Sequence, residues 1–281
     1  MDEQRFLQAC RLRDEGKLAE ARSKFVQIAE SENDPLDKAG ALLHAVNTLE
    51  MSGQTEAANS ELCAARSLIE EYRPAKSRGD EKFAAIELFL DYEDANLAWL
   101  RSENLEATLS RFEAVIKKHS LESTSKRDSR IPKDLYSRDF YESIQIRRAF
   151  ILADLGRWKE ALPILEEIQS PKEYREGVAF YLGHCHLAAH DYIRAEQKLT
   201  EALRLGDLPK SLEYRAHCEL GMAYYELRDY QQAKRELENC AKTADKSYLG
   251  DGVIWRWLEL TCRALGLKAE AEQYARMANP S

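Results

Sequence analysis

One order of residue types recurs three times along the chain, and that recurrence limits the fold more than any other feature. In 214–246 it runs Leu220-Gly221, Tyr224, Leu227, Asp229-Tyr230, Ala233, Leu237, Cys240-Ala241. In 176–208 the same places hold Leu182-Gly183, His186, Ala189, Asp191-Tyr192, Ala195, Leu199, Ala202-Leu203. In 142–172 they hold Ala149, Leu152, Leu155, Gly156-Arg157-Trp158, Ala161, Leu165 and Ile168. Each stretch reads as two helices joined by a tight turn. Gly221, Gly183 and Ala149 let the paired helices approach closely, and Ala233, Ala195 and Ala161 do the same from the partner helix. Leu237, Leu199 and Leu165 fill the space between one pair and the next. The turn elements Gly156-Arg157, His190-Asp191 and Arg228-Asp229 end the first helix and cap the second, with Asp offering a side-chain oxygen to free backbone N–H groups.

This order of a small residue, an aromatic or Leu, a turn, then Ala, a large apolar residue and Ala resembles the tetratricopeptide (TPR) repeat. The expected fold is therefore all-α, a right-handed solenoid of about seven helix-turn-helix units. Four further units follow the pattern more loosely, giving spans near 2–35, 39–72, 89–118, 142–172, 176–208, 214–246 and 252–279. The corresponding turn positions are Gly16, Gly53, Glu103, Gly156, His190, Arg228 and Gly266. A single solenoid domain over 1–281 is expected, with helices that often exceed the family's length by about a turn. Two stretches depart from it. At 73–80, Pro74 and Gly79 are expected to stop one helix and Asp80 to cap a first helix longer than its neighbours. At 119–134 a polar, aperiodic stretch containing Pro132 reads as a flexible insertion.

Composition agrees with a helical, soluble reading: 44% apolar and 32% charged residues, with only 12 Gly and 7 Pro in 281. The formal charge of −8 disfavours general nucleic-acid binding and electrostatic attachment to anionic lipid. No apolar run has the length of a membrane span. The acidic start Met1-Asp2-Glu3 is unlike a secretory signal. Six scattered cysteines without a Cys-x-x-Cys pair read as free, mostly buried thiols, and the cytoplasm is the expected compartment. Lys126-Arg127, Arg130 and Lys133 in the insertion read as a solubilising loop, with an acidic partner or nucleic acid as the alternative.

Motifs for chemistry are few. No glycine-rich phosphate loop, His-Glu-x-x-His or nucleophile elbow is present, so neither a cofactor nor catalysis is expected. The carboxylates read as solvated helix faces. His186 and His190 stand four apart, a spacing used by metal ligands, and His184 lies beside them. The repeat, however, already gives His186 an interior place and His190 the turn, so the expectation is no metal.

The TPR resemblance places partner binding on the first helices, which line a concave groove. In this register the groove residues are Asn47, Leu97, Arg101, Ile146, Phe150, Phe180, His184, Leu187, Met222, Tyr225 and Arg256, with Glu50 and Glu93 among their neighbours. The central apolar run suits an amphipathic helix or apolar peptide of a partner protein. The other reading is that part of it is buried, by tight packing or by the 119–134 loop. The clamp of basic residues and Asn that co-chaperone TPR domains use for a C-terminal carboxylate is absent. Peptide-pheromone regulators of this architecture use rows of Asn, and here Asn47 is the only groove Asn. The resulting expectation is a non-catalytic adaptor, regulator or assembly subunit. Two alternatives remain: an accessory enzyme subunit or metal-binding protein using His184, His186 and His190, or a self-assembling scaffold with a homodimer contact over Trp257.

Overall fold

The computed structural model describes residues 3–76, 81–101, 104–118, 138–168, 174–206, 208–244 and 252–278. All regular structure among these residues is helical. The helices are α1 (Glu3–Asp14), α2 (Leu18–Ser31), α3 (Pro35–Met51), α4 (Thr55–Lys76), α5 (Glu81–Leu100), α6 (Leu105–Lys118), α7 (Arg138–Asp154), α8 (Trp158–Glu167), α9 (Arg175–Ala188), α10 (Tyr192–Leu205), α11 (Lys210–Glu226), α12 (Tyr230–Thr243), α13 (Val253–Ala264) and α14 (Lys268–Ala278). Their packing divides the chain into two compact units, residues 1–148 and 149–281, with the division inside α7.

Within each unit the packing follows one rule. A first helix packs on its own second helix, as α3 on α4, α9 on α10 and α11 on α12. The second helix then packs on the next first helix, as α2 on α3, α10 on α11 and α12 on α13. Successive first helices also touch, α3 with α5, α9 with α11 and α11 with α13. A helix with one apolar stripe must bury it against a neighbour, and stacked pairs do this in sequence.

The turns carry the clearest signature. Gly16, Gly53, Gly156 and Gly266 take φ between 73° and 77°, and His190 and Arg228 take 61° and 64°. All six lie in the left-handed region, and all six belong to the turn register read from the sequence; Glu103 lies outside the described residues. In every case the amide three residues past the last helical residue returns to a carbonyl five residues back: Lys17 to Leu12 (2.8 Å), Gln54 to Leu49 (2.9 Å), Arg157 to Leu152 (2.8 Å), Asp191 to His186 (2.9 Å), Asp229 to Tyr224 (2.9 Å) and Leu267 to Cys262 (2.9 Å). This is the Schellman closure. Asp191 and Asp229 then cap the second helices, accepting from Arg194 N and Gln232 N at 3.2 Å. A side chain at left-handed φ costs about 1 kcal/mol. Arg228→Gly is therefore expected to raise unfolding free energy by about 1 kcal/mol in urea titration. His190→Gly gains less, because His190 Nδ1 is hydrogen-bonded to Tyr192 Oη at 2.8 Å.

Some boundaries differ from the sequence reading. Pro35 does not close the first unit; it opens α3, with Asp34 Oδ1 accepting from Leu36 N at 2.7 Å. Proline is well suited to the first helical turn, where its missing N–H has no intrahelical partner. Helix α4 continues past Pro74 to Lys76, and Gly79 and Asp80 lie outside the described residues, as does the 119–134 stretch. Helix α5, at 20 residues, is longer than the other first helices.

The core is a row of residues at matching places: Phe25, Leu62, Phe112, Leu165, Leu199 and Leu237, each 2% exposed or less. Burying one such side chain is worth about 1.5–3 kcal/mol. Against the last two lie Gly183 and Gly221. A Cβ built on Gly183 would sit 2.6 Å from Leu199 Cγ, and one on Gly221 2.6 Å from Leu237 Cγ.

Candidate functional site

The first helices of residues 149–281 carry a polar ladder that the sequence register only grazed. Arg215 on α11 lies over the Phe180 ring on α9, its guanidinium carbon 5.1 Å from the ring centroid. Its Nη2 donates to Asp154 Oδ1 at the end of α7, 3.2 Å away. Tyr181 Oη donates to the other Asp154 oxygen at 2.9 Å. His184 Nδ1 meets Glu219 Oε1 at 2.9 Å, and Arg215 stands 3.9 Å from that same oxygen. Three successive first helices are thus tied by five side chains. Arg215 and His184 keep about a quarter of their side-chain surface open, at 26% and 24%.

Electrostatics follow from this pairing. Burial opposes charge on His184, but the hydrogen bond and charge of Glu219 outweigh it and hold the imidazole pKa above its ordinary 6.5. The ion pair therefore supports folding fully below pH 6.5 and is lost as pH rises through the folded-state pKa. Glu219→Gln removes the opposing charge, so the His184 titration followed by NMR is expected to move down. An unmoved titration would show that Glu219 does not govern it. Burial, then the charges of Glu219 and Asp154, push the Cys185 thiol behind the ladder up to about 12, so it stays protonated and unreactive.

The groove residues expected from the sequence divide into two groups. Leu97, Ile146, Phe150 and Phe180 are 3% exposed or less and belong to the core, not to an open groove. Phe150 stacks on Tyr181 with ring centroids 4.1 Å apart, in space left free by Gly177. The continuous apolar stripe is therefore replaced by buried packing. Asn47, Arg101, His184, Leu187, Met222 and Tyr225 are half-buried, and Arg256 is exposed. Arg101 pairs loosely with Glu56 at 3.4 Å. Tyr225 packs edge-on to Tyr230 and Trp257, at 5.4 and 5.3 Å. Trp257, expected to be free for a dimer contact, thus has one face covered, and Trp255 stacks on Tyr274.

The three histidines do not converge. His184 turns to Glu219, His186 is buried on the second-helix side, and His190 turns to Tyr192. Among the described residues no group of three His, Cys, Asp or Glu is placed to hold a metal, so the metal-binding alternative built on these residues loses its geometry. The six cysteines are free thiols, four of them buried. No helix among the described residues is long and apolar enough to cross a membrane.

In residues 1–148 the first helices bury a carboxyl pair. Glu50 on α3 is 9% exposed and Glu93 on α5 is fully buried. Asn96 Nδ2 donates to Glu50 Oε2 at 2.6 Å, and Arg147, whose guanidinium carbon lies 4.5 Å from the Trp99 ring centroid, supplies the nearby positive charge. Burial above all, opposed by the bonds to Glu93 and Asn96 and by Arg147, raises Glu50 to about 7. Burial and then the charge of Glu50 raise Glu93 well above the carboxylate range. Near neutral pH the pair therefore holds more proton than two free carboxyls would.

No known family's description matches the chain, and no curated protein matches it in sequence. Solved structures do. RapI in its apo form aligns over 98% of this chain and 74% of its own length, with 14% identity and a TM-score of 0.55. A tetratricopeptide repeat protein from Parabacteroides merdae aligns over 98% of this chain and 91% of its own length, with 12% identity and a TM-score of 0.43. BtubC from P. vanneervenii aligns over 86% and 90%, with 17% identity and a TM-score of 0.47. The fold is of the tetratricopeptide-repeat type. Within residues 149–281 the successive first helices α9, α11 and α13 touch, and the polar ladder joins α9 and α11 to the end of α7.

Proposed function

We propose that this chain is a non-catalytic protein-interaction module that takes a peptide or helix of a partner on its first-helix face. Within residues 149–281 the site is centred on His184, Arg215 and Asp154 and flanked by Leu187, Met222, Tyr225 and Arg256. The observation that carries this reading is the mixed character of that face: partly open charges set beside partly open apolar side chains on consecutive helices. A partner surface needs apolar contact for affinity and fixed polar groups for register. Asn47 and Arg101 are the corresponding candidates within residues 1–148. Asp154 is held by Arg215 and Tyr181, and Glu219 by His184, which favours recognition over proton transfer to a substrate.

The test is cross-linking and capture from the native host, followed by mapping of the linked residues. Met222→Glu combined with Arg256→Glu is expected to reduce capture at least tenfold while circular dichroism retains its helical signal. Phe150 is unsuitable for this purpose, since a charge at a core position would unfold the chain. Undiminished capture by the double variant would place the partner elsewhere.

A further inference from the structure

The second-helix side of residues 149–281 holds a cavity that the first-helix reading leaves unused. It is a half-open depression of about 740 Å³ between α8, α9 and α10. The helices around it differ in length: α8 has 10 residues and contains Pro163, whereas α10 has 14.

Val178, Ala179 and Leu182 on α9 give the cavity an apolar floor, together with His186. His186 is only 4% exposed, lines the cavity, and its imidazole makes no hydrogen bond to a described residue. Burial holds its pKa below the ordinary value, so at neutral pH it presents an uncharged ring with one donor and one acceptor. The rim is cationic. Arg175, Arg194, Lys198 and Arg204 face two carboxylates, Glu166 and Glu201. Lys198 is bound to Glu201 at 2.8 Å and Arg194 to Asp191 at 3.5 Å. Arg175 and Arg204 have no acceptor among the described residues. In a chain of net charge −8 this is a local reversal of sign.

We infer that this cavity is a binding site for an acidic peptide segment, with an apolar side chain seated on Val178, Ala179 and Leu182, a polar group on His186, and carboxylates on Arg175 and Arg204. The spread of charge selects a peptide over a compact anion. Arg194 and Arg204 are ten residues apart on α10, about 15 Å at 1.5 Å per residue, nearly three helical turns, a span that a row of carboxylates along a peptide covers and a compact anion does not. The site is independent of the first-helix face and stands whether or not that face binds a partner.

The probe is a fluorescein-labelled twelve-residue peptide with Glu and Leu at alternate helical turns, titrated with the full chain and read by anisotropy. Saturable binding that weakens with added salt is expected. Arg175→Glu with Arg204→Glu, both at exposed positions, is expected to weaken it at least tenfold, and His186→Leu to weaken it less. Met222→Glu with Arg256→Glu is expected to leave it unchanged, which separates this site from the first-helix face. Absence of binding, equal binding by the Arg175/Arg204 double variant, or equal binding of a peptide with Gln in place of Glu would overturn the proposal. So would displacement by octyl phosphate at concentrations below those of the peptide, which would mark the cavity as a site for a compact amphipathic anion.

Discussion

Gly221→Val is expected to lower unfolding free energy by about 3 kcal/mol, and Gly183→Val by a similar amount. The cause is local and geometric. The first side-chain atom placed on Gly221 would fall 2.6 Å from Leu237 Cγ and 3.2 Å from the Ala233 carbonyl oxygen. Leu237 is fully buried and cannot swing aside, and the carbonyl belongs to the paired helix. Alanine at the same place gains helix propensity worth about 1 kcal/mol, which offsets part of the clash; valine adds bulk without that gain. Leu237→Ala alone is expected to cost about 2–5 kcal/mol through the space it leaves. Combined with Gly221→Val, the loss should be clearly less than the sum, since each substitution relieves the other. Additive losses in urea titration would mean that the two positions do not share one volume.

The second large effect runs the other way. At pH 8, Glu93→Gln is expected to stabilise the protein by about 2 kcal/mol, and the gain should close towards pH 5. In the parent, folding raises the pKa of Glu50 to about 7 from an ordinary 4.5, and raises Glu93 as well. The folded state therefore holds more protons than the unfolded state across this window. Stability must fall as pH rises from about 4.5 through about 7, the reverse of a salt-bridged carboxylate. The groups that set this balance are Asn96 and Glu93 on α5, Glu50 on α3 and Arg147 on α7. An amide at position 93 donates to Glu50 and leaves a single carboxylate opposite Arg147. A variant no more stable than the parent at pH 8 would show that the two carboxyls do not repel in the fold.

These two cases show what could be read from the sequence. Gly183, Gly221 and the turn residues Gly16, Gly53, Gly156, His190, Arg228 and Gly266 were legible because their constraint is local: a close helix contact or a left-handed φ restricts residue type at a fixed offset within one helix pair. The face of each first helix was harder. One residue is 100° of turn, so a register one step off exchanges buried for open. On α11 the register chose Met222 and Tyr225, where the ladder uses Arg215 and Glu219 nearer the start of the helix. Ile146 and Phe150 on α7 failed for the same reason. Asp154 and Arg215 are 61 residues apart, and nothing local to either marks the other as its partner. The carboxyl pair was hidden in another way: Glu50 and Glu93 fit a solvated helix face by residue type, and only the packing of α3 on α5 takes them out of water.

The reach of Arg215 has a mechanical consequence. Its guanidinium passes over α9 to hold the end of α7, so α9 is strapped beneath a bond between its two neighbours. Tilting or withdrawing that helix pair requires the strap to open first. A pulling force applied along residues 149–281 would meet resistance at Asp154–Arg215 before the apolar contacts beneath α9 were strained.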